Sequence, residues 1–149
     1  MAIALCPLCF VHNGGESMNK TEARAAAMKL IYEWDMGGDG GDGTLSGILE
    51  LTPDEAEYKT MRVLADFAQQ HVERIDKNIE KHAIGWKLDR LMRVDLAILR
   101  VAVAEMLMGK EPAPVIINEA IELSHVYSTD KAPAFINGVL GNMSRAGLE

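Results

Sequence analysis

Three groups of residues in this 149-residue chain have types and spacings that could do chemistry. Cys6-Pro-Leu-Cys9 has the two-residue gap of half a zinc knuckle or of a redox pair, and His12 could add a third donor. A structural zinc needs four ligands, the chain has no further cysteine, and a haem attachment would need histidine where Phe10 stands. The seven residues from Gly37 to Gly43 include five glycines, but a phosphate loop also needs a preceding strand and a following Lys-Ser/Thr. A calcium-binding nonapeptide works only when stacked in several copies, so this run reads as a connector. His71, His82 and His125 fall on separate predicted elements, and Glu122 near His125 is an ordinary helix pair rather than an oriented catalytic couple. These residues point to a binding protein and not an enzyme, with no metal and no cofactor expected.

Basic residues are the remaining candidates. With 15 Lys and Arg against 22 Asp and Glu, the formal charge is −7, so general affinity for polyanions is excluded and any nucleic-acid role must rest on a local patch or a partner. Lys20 and Arg24 stand one turn apart where a first helix should begin, and a helix N-terminus favours phosphate. Lys87, Arg90 and Arg93 form a second stripe at intervals of three, which by charge alone is a solvated face.

The elements that must position these residues are all helices. Aromatic residues are 5% of the chain and apolar residues 48%, which favours helices over aromatic, β-branched sheets and supplies a real core. Asn19 and Glu22 form a capping box, and Ala23, Ala27, Leu30, Ile31 and Trp34 follow at helical spacing, predicting a helix from about Asn19 to Met36. After the glycine run and a short apolar segment, 45–51, Thr52-Pro53-Asp54-Glu55 starts a helical stretch that reaches about Ala83, continuous or bent near 70–72. Glu73 and Lys77 should face solvent there. The segment from Trp86 to Met92 reads as a short helix, and Asp95 as the cap of an almost wholly apolar helix, Leu96 to Met108, closed by Gly109. A helix from about Val115 to Tyr127 is expected to bury Ile117, Ala120, Ile121 and Ser124 and to expose Glu119 and Glu122. A last helix, with Pro133 in its first turn, should bury Phe135, Ile136, Val139, Leu140 and Met143. The expectation is an all-α bundle of six or seven helices, residues 19–149, behind a flexible extension, residues 1–18.

The opening apolar run is too short to span a bilayer and lacks a basic n-region, and 96–108 carries Arg100 and Glu105. Cysteines confined to the first nine residues suit a reducing cytosol. A cytoplasmic protein with no membrane partner is expected.

Three blocks within about 19–145 resemble the NusB family of transcription antitermination factors. They are Ala23-Arg24-x-x-Ala27 with Leu30-Ile31-Tyr32-x-Trp34; Ile98-Leu99-Arg100-Val101-Ala102-x-x-Glu105; and Ile117-Asn118-Glu119-Ala120-Ile121-Glu122-Leu123 followed by Phe135-Ile136-Asn137-Gly138-Val139-Leu140. The resemblance implies two small helical subdomains and a transcription regulator that binds boxA-type RNA of the ribosomal leader. It implies joint action with NusE, a small-subunit ribosomal protein, in the RNA polymerase antitermination complex. It leaves room for a homodimer.

Carried over by position, the family's arginine-rich RNA contact becomes Lys20 and Arg24. The partner-binding positions become Tyr32, Asp95, Lys131 and Phe135. Lys20, Arg24 and Lys29 are balanced by Glu22, Glu33 and Asp35, so helix one is thinner in charge than the family pattern. That leaves a second reading open, a helical interaction or self-association module that has lost intrinsic RNA binding. Arg100 and Glu105 read as interior pairing groups.

Overall fold

A computed structural model describes residues 20–38 and 56–149, without the side chains of residues 56–58 and 60. The extension 1–18 with Cys6, Cys9 and His12, the Asn19 cap, the glycine run beyond Gly38, the segment 45–51 and the Thr52 start lie outside the described residues. Within them are six α-helices and one 3₁₀ turn: α1 (Lys20–Asp35), α2 (Ala56–Gln70), α3 (Val72–His82), the turn Leu88–Arg90, α4 (Arg93–Met108), α5 (Ala113–Tyr127) and α6 (Ala132–Ala146). No strand occurs among the described residues.

The apolar run of α4 explains the arrangement. Every residue from Asp95 to Ala104 is buried, which a helix achieves only when surrounded. The pair α1 and α2 packs on one side of α4, while α3, α5 and α6 gather round the other, so α4 belongs to both subdomains. On α1, Ala23, Ala25, Ala26 and Ala27 are all buried, and their small side chains let neighbouring helices approach closely. The core joins Leu30 and Ile31 of α1, Met61 of α2, Ile75 and Ile79 of α3, Leu96, Ile98 and Leu99 of α4, Ile116 of α5 and Ile136 and Leu140 of α6.

Most boundaries fall where local chemistry places them. The long helical stretch breaks at His71, whose ring lies 4.1 Å from Phe67 and whose Nδ1 is 3.0 Å from the Phe67 carbonyl oxygen. Gly109 ends α4 in the left-handed region at φ 69°, a conformation that glycine enters without steric cost. Glu73 and Lys77 are exposed as expected. The last residue, Glu149, is held on α3: Arg74 Nε donates to its carbonyl oxygen at 2.7 Å, and its N–H donates to Asn78 Oδ1 at 2.9 Å.

Four expectations need correction. The last helix buries Ile136, Val139, Leu140 and Met143, but Phe135 is only half-buried, since it lies at the edge against Trp86. Between Gly85 and α4, the chain forms only the turn Leu88–Arg90, because Lys87 and Leu91 are extended on either side. Lys87, Arg90 and Arg93 therefore share no helix. The central helix begins at Arg93, with Met92 in the cap position, so Asp95 is not its cap. On α5, the fully buried residues are Ile116, Ala120, Leu123 and Ser124, whereas Ile117, Ile121 and Glu119 are half-buried. Glu119 faces α1 instead of solvent, because Thr21 and Arg24 lie opposite it.

Candidate nucleic-acid interface

The first turn of α1 presents its cations to a collar of carboxylates from distant elements. Lys20 is three-quarters exposed and ion-pairs with Glu111 of the α4–α5 connection. Thr21 Oγ1 donates to Glu119 Oε2 at 3.0 Å. Arg24 lies underneath, only 6% exposed. Its Nε donates to Glu105 Oε1 at 2.7 Å, and its Nη1 is 3.7 Å from Glu119 Oε2. Burial works against the charge on Arg24. The hydrogen bond to Glu105 and the negative charges of Glu105, Glu119 and Glu111 outweigh it and hold the guanidinium above its ordinary pKa. Glu111 is lowered, chiefly by its hydrogen bond from Lys20.

Lys20 and Arg24 are thus brought together in space but differ in what they can do. Lys20 keeps most of its side chain in solvent while pairing with Glu111. Arg24 has its fork turned inward and fixes α1 to α4 and α5, so it can position the turn but does not present its guanidinium to solvent. Sequence spacing placed both on one face; the depth of Arg24 is set by residues 81 and 95 positions away, for which helix periodicity carries no signal. Two further cations at this end come from other elements: Lys59 of α2 and Lys110, just after Gly109, are both exposed beside Lys20.

A second interior network holds the other end of α1. Arg100 donates from Nε and Nη2 to the two carboxylate oxygens of Asp76 at 2.8 and 2.9 Å, while its Nη1 lies 3.1 Å from Asp35 Oδ1. Arg93 donates to the other oxygen of Asp35 at 3.1 Å. Arg100 and Glu105 are interior pairing groups, each with a partner on another helix.

Three of the four partner-binding candidates gather round the α5–α6 turn. Asp95, itself buried, accepts a hydrogen bond from Ser128 Oγ. Lys131 is exposed at the head of α6, and Phe135, one turn on, is half-buried with its ring edge-on to Trp86 at 6.1 Å. Tyr32 is half-buried against the core, one turn from Lys29, whose ammonium lies 5.3 Å from the Tyr127 ring beside that turn. With an axial rise of 1.5 Å per residue, Lys20 and Tyr32 are separated by about 18 Å along α1. The cationic end and the turn end are therefore opposite ends of one helix.

Among the described residues, no group of three or more His, Cys, Asp or Glu side chains converges as a metal site. No helix among them is long and apolar enough to cross a membrane. His82 is buried on α3 and His125 exposed on α5.

Residues 21–145 match the model of the NusB family. The chain is 42% identical over 139 residues to the transcription antitermination protein NusB of Thermoanaerobacter sp. (strain X514), covering 89% of this chain and 95% of that protein. It is 40% identical over 133 residues to the transcription antitermination protein NusB of Clostridium novyi (strain NT), covering 87% of this chain and all of that one. A crystal structure of the antitermination factors NusB and NusE in complex with dsRNA superposes with a TM-score of 0.76 at 31% identity, covering 86% of this chain and 97% of that one.

Proposed function

The chain belongs to the NusB family, and on that premise we propose that it is a transcription antitermination factor that binds boxA-type ribosomal leader RNA jointly with NusE. The observation that carries this reading is the two-ended construction of α1. One end holds the exposed Lys20 with Lys59 and Lys110 nearby, and the other lies against the turn bearing Asp95, Lys131 and Phe135. Lys20 contacts phosphate, and Arg24 holds the turn that carries it. Lys131 and Phe135 meet NusE, Tyr32 supports that surface, and Asp95 acts by latching the turn through Ser128. A solved NusB seated with NusE on RNA supports the pair of partners. The chain acts in the cytoplasm as a regulator and not as an enzyme. It works within the RNA polymerase antitermination complex, and the free protein can self-associate.

The second reading, an interaction module without intrinsic RNA affinity, is favoured by one observation: both cations of the first α1 turn are engaged by carboxylates. Fluorescence anisotropy of labelled boxA RNA, with the protein alone and with NusE at two salt concentrations, separates the two. Tight, salt-sensitive binding with NusE that a scrambled RNA lacks is the expected result. Binding of NusE without RNA would establish the second reading, and binding of neither would overturn both.

A further inference from the structure

A cavity of about 460 Å³ opens beside the first turn of α1. Its walls combine Ala23 of α1, Val63 and Leu64 of α2 and Met108 of α4 with the charged groups Lys20, Arg24, Lys59, Glu105, Lys110 and Glu111. This volume lies within the range of roughly 300–1,000 Å³ that accommodates small organic ligands. The charges fall into two classes. Arg24 with Glu105 and Lys20 with Glu111 are ion pairs, while among the described residues Lys59 and Lys110 have no ion-pair partner. Val63, at 53% exposure, is one of the most exposed large apolar side chains and belongs to this opening.

An apolar slot rimmed by ammonium groups from three separate elements suits a ligand with an apolar body and more than one anionic site. A single carboxylate or a lipid tail would leave part of that rim unused. Single-stranded RNA has both features in each unit, since an unstacked base offers an apolar face and its flanking phosphates carry the charge. The Met108 thioether is a soft, polarizable surface for such a face. Resting on the RNA-binding reading above, we infer that this cavity receives one unstacked base of the bound RNA, with the neighbouring phosphates on Lys59 and Lys110. The cavity then adds sequence-tolerant grip beside the phosphate contacts of Lys59 and Lys110.

The probe is a boxA-type RNA carrying 2-aminopurine at one position at a time, read by fluorescence and by anisotropy in the presence of NusE. The described lining is aliphatic, thioether and charged, and a base that leaves the RNA stack for such surroundings brightens. One position should brighten on binding. Ala23→Met, which fills the slot, should abolish that brightening and, by removing the apolar burial of the base face, weaken RNA binding about tenfold. Because Ala23 is buried, Val63→Trp on the exposed rim provides a second variant, and it should turn brightening at the same position into quenching. Lys59→Ala and Lys110→Ala should each flatten the dependence of log K on log salt by about 0.7. Wild-type RNA binding with no position that brightens, or brightening that neither variant alters, would overturn the inference and leave the RNA-binding reading intact. Absence of any RNA binding would overturn both.

Discussion

Arg24 and Glu105 meet at 2.7 Å between α1 and α4, and both side chains are almost wholly withdrawn from solvent. The pair converts the beginning of α1 from a free end into a fixed one. Removing one partner strands the other charge in the interior. Arg24→Ala should therefore lower stability by about 3 kcal/mol. Arg24→Met combined with Glu105→Leu should recover most of that loss, because two apolar side chains of similar size strand neither charge of the pair and the half-buried Glu119 keeps its hydrogen bond from Thr21. Urea unfolding of the three proteins checks this, and equal losses in the single and double variants would show that packing, not charge pairing, dominates.

Lys20 should behave in the opposite way. It is exposed and its pairing with Glu111 is a surface contact, so Lys20→Ala should shift stability by no more than about 0.5 kcal/mol. RNA affinity in the presence of NusE should nevertheless fall, with a flatter salt dependence. Glu111→Gln releases Lys20 and removes a negative charge from the same place, and it should raise RNA affinity by up to about fivefold. Anisotropy titrations on both variants at two salt concentrations measure these effects.

The turn end offers a matching separation for NusE. Lys131 is exposed and Asp95 buried, so Lys131→Glu should weaken NusE binding without altering the unfolding curve. Asp95→Ala should weaken both, since it leaves Ser128 without its partner and frees the α5–α6 turn; a cost of about 1–3 kcal/mol is expected. Calorimetric titration of NusE alongside thermal unfolding distinguishes the two behaviours.

Acid sensitivity should appear at the Lys81 contact. The hydrogen bond and charge of Lys81 hold the Glu149 carboxyl below its ordinary range. A carboxylate lowered in the folded state contributes stability above its unfolded pKa and loses it as pH falls through the folded value. Lys81→Met should therefore be less stable than the parent at neutral pH, and the two should converge in acid. Denaturant midpoints measured from pH 7 down to pH 3 test the sign.

Legibility in the sequence followed the range of the forces involved. The end of α4 at Gly109 and the apolar run of α4 arise from neighbouring residues, and composition and spacing carry them, whereas for the break at His71 the sequence leaves a continuous and a bent helix equally open. The burial of Arg24, the inward turn of Glu119 and the latch between Asp95 and Ser128 depend on partners 33 to 98 residues away. Helical periodicity identifies a face but not what lies opposite. Periodicity alone therefore points Ile117 and Ile121 inward, while the packing of α5 against its neighbours buries Ile116 and Leu123. At the candidate site, Lys20 was visible as the first cation of a capped helix. Lys59 and Lys110 were not, because only folding brings α2 and the α4–α5 connection beside it.

The position of α4 also governs the order in which the chain can acquire structure during synthesis. Residues 93–108 emerge from the ribosome after α1, α2 and α3 but before α5 and α6. Until α4 arrives, α1 and α2 can pack only on each other and α3 is scarcely joined to them, and until α6 arrives α4 keeps an apolar side without full cover. A nascent chain whose emerged part ends between 108 and 132 therefore displays the segment that the folded protein buries most completely, and chaperone capture or aggregation should concentrate in that interval of translation.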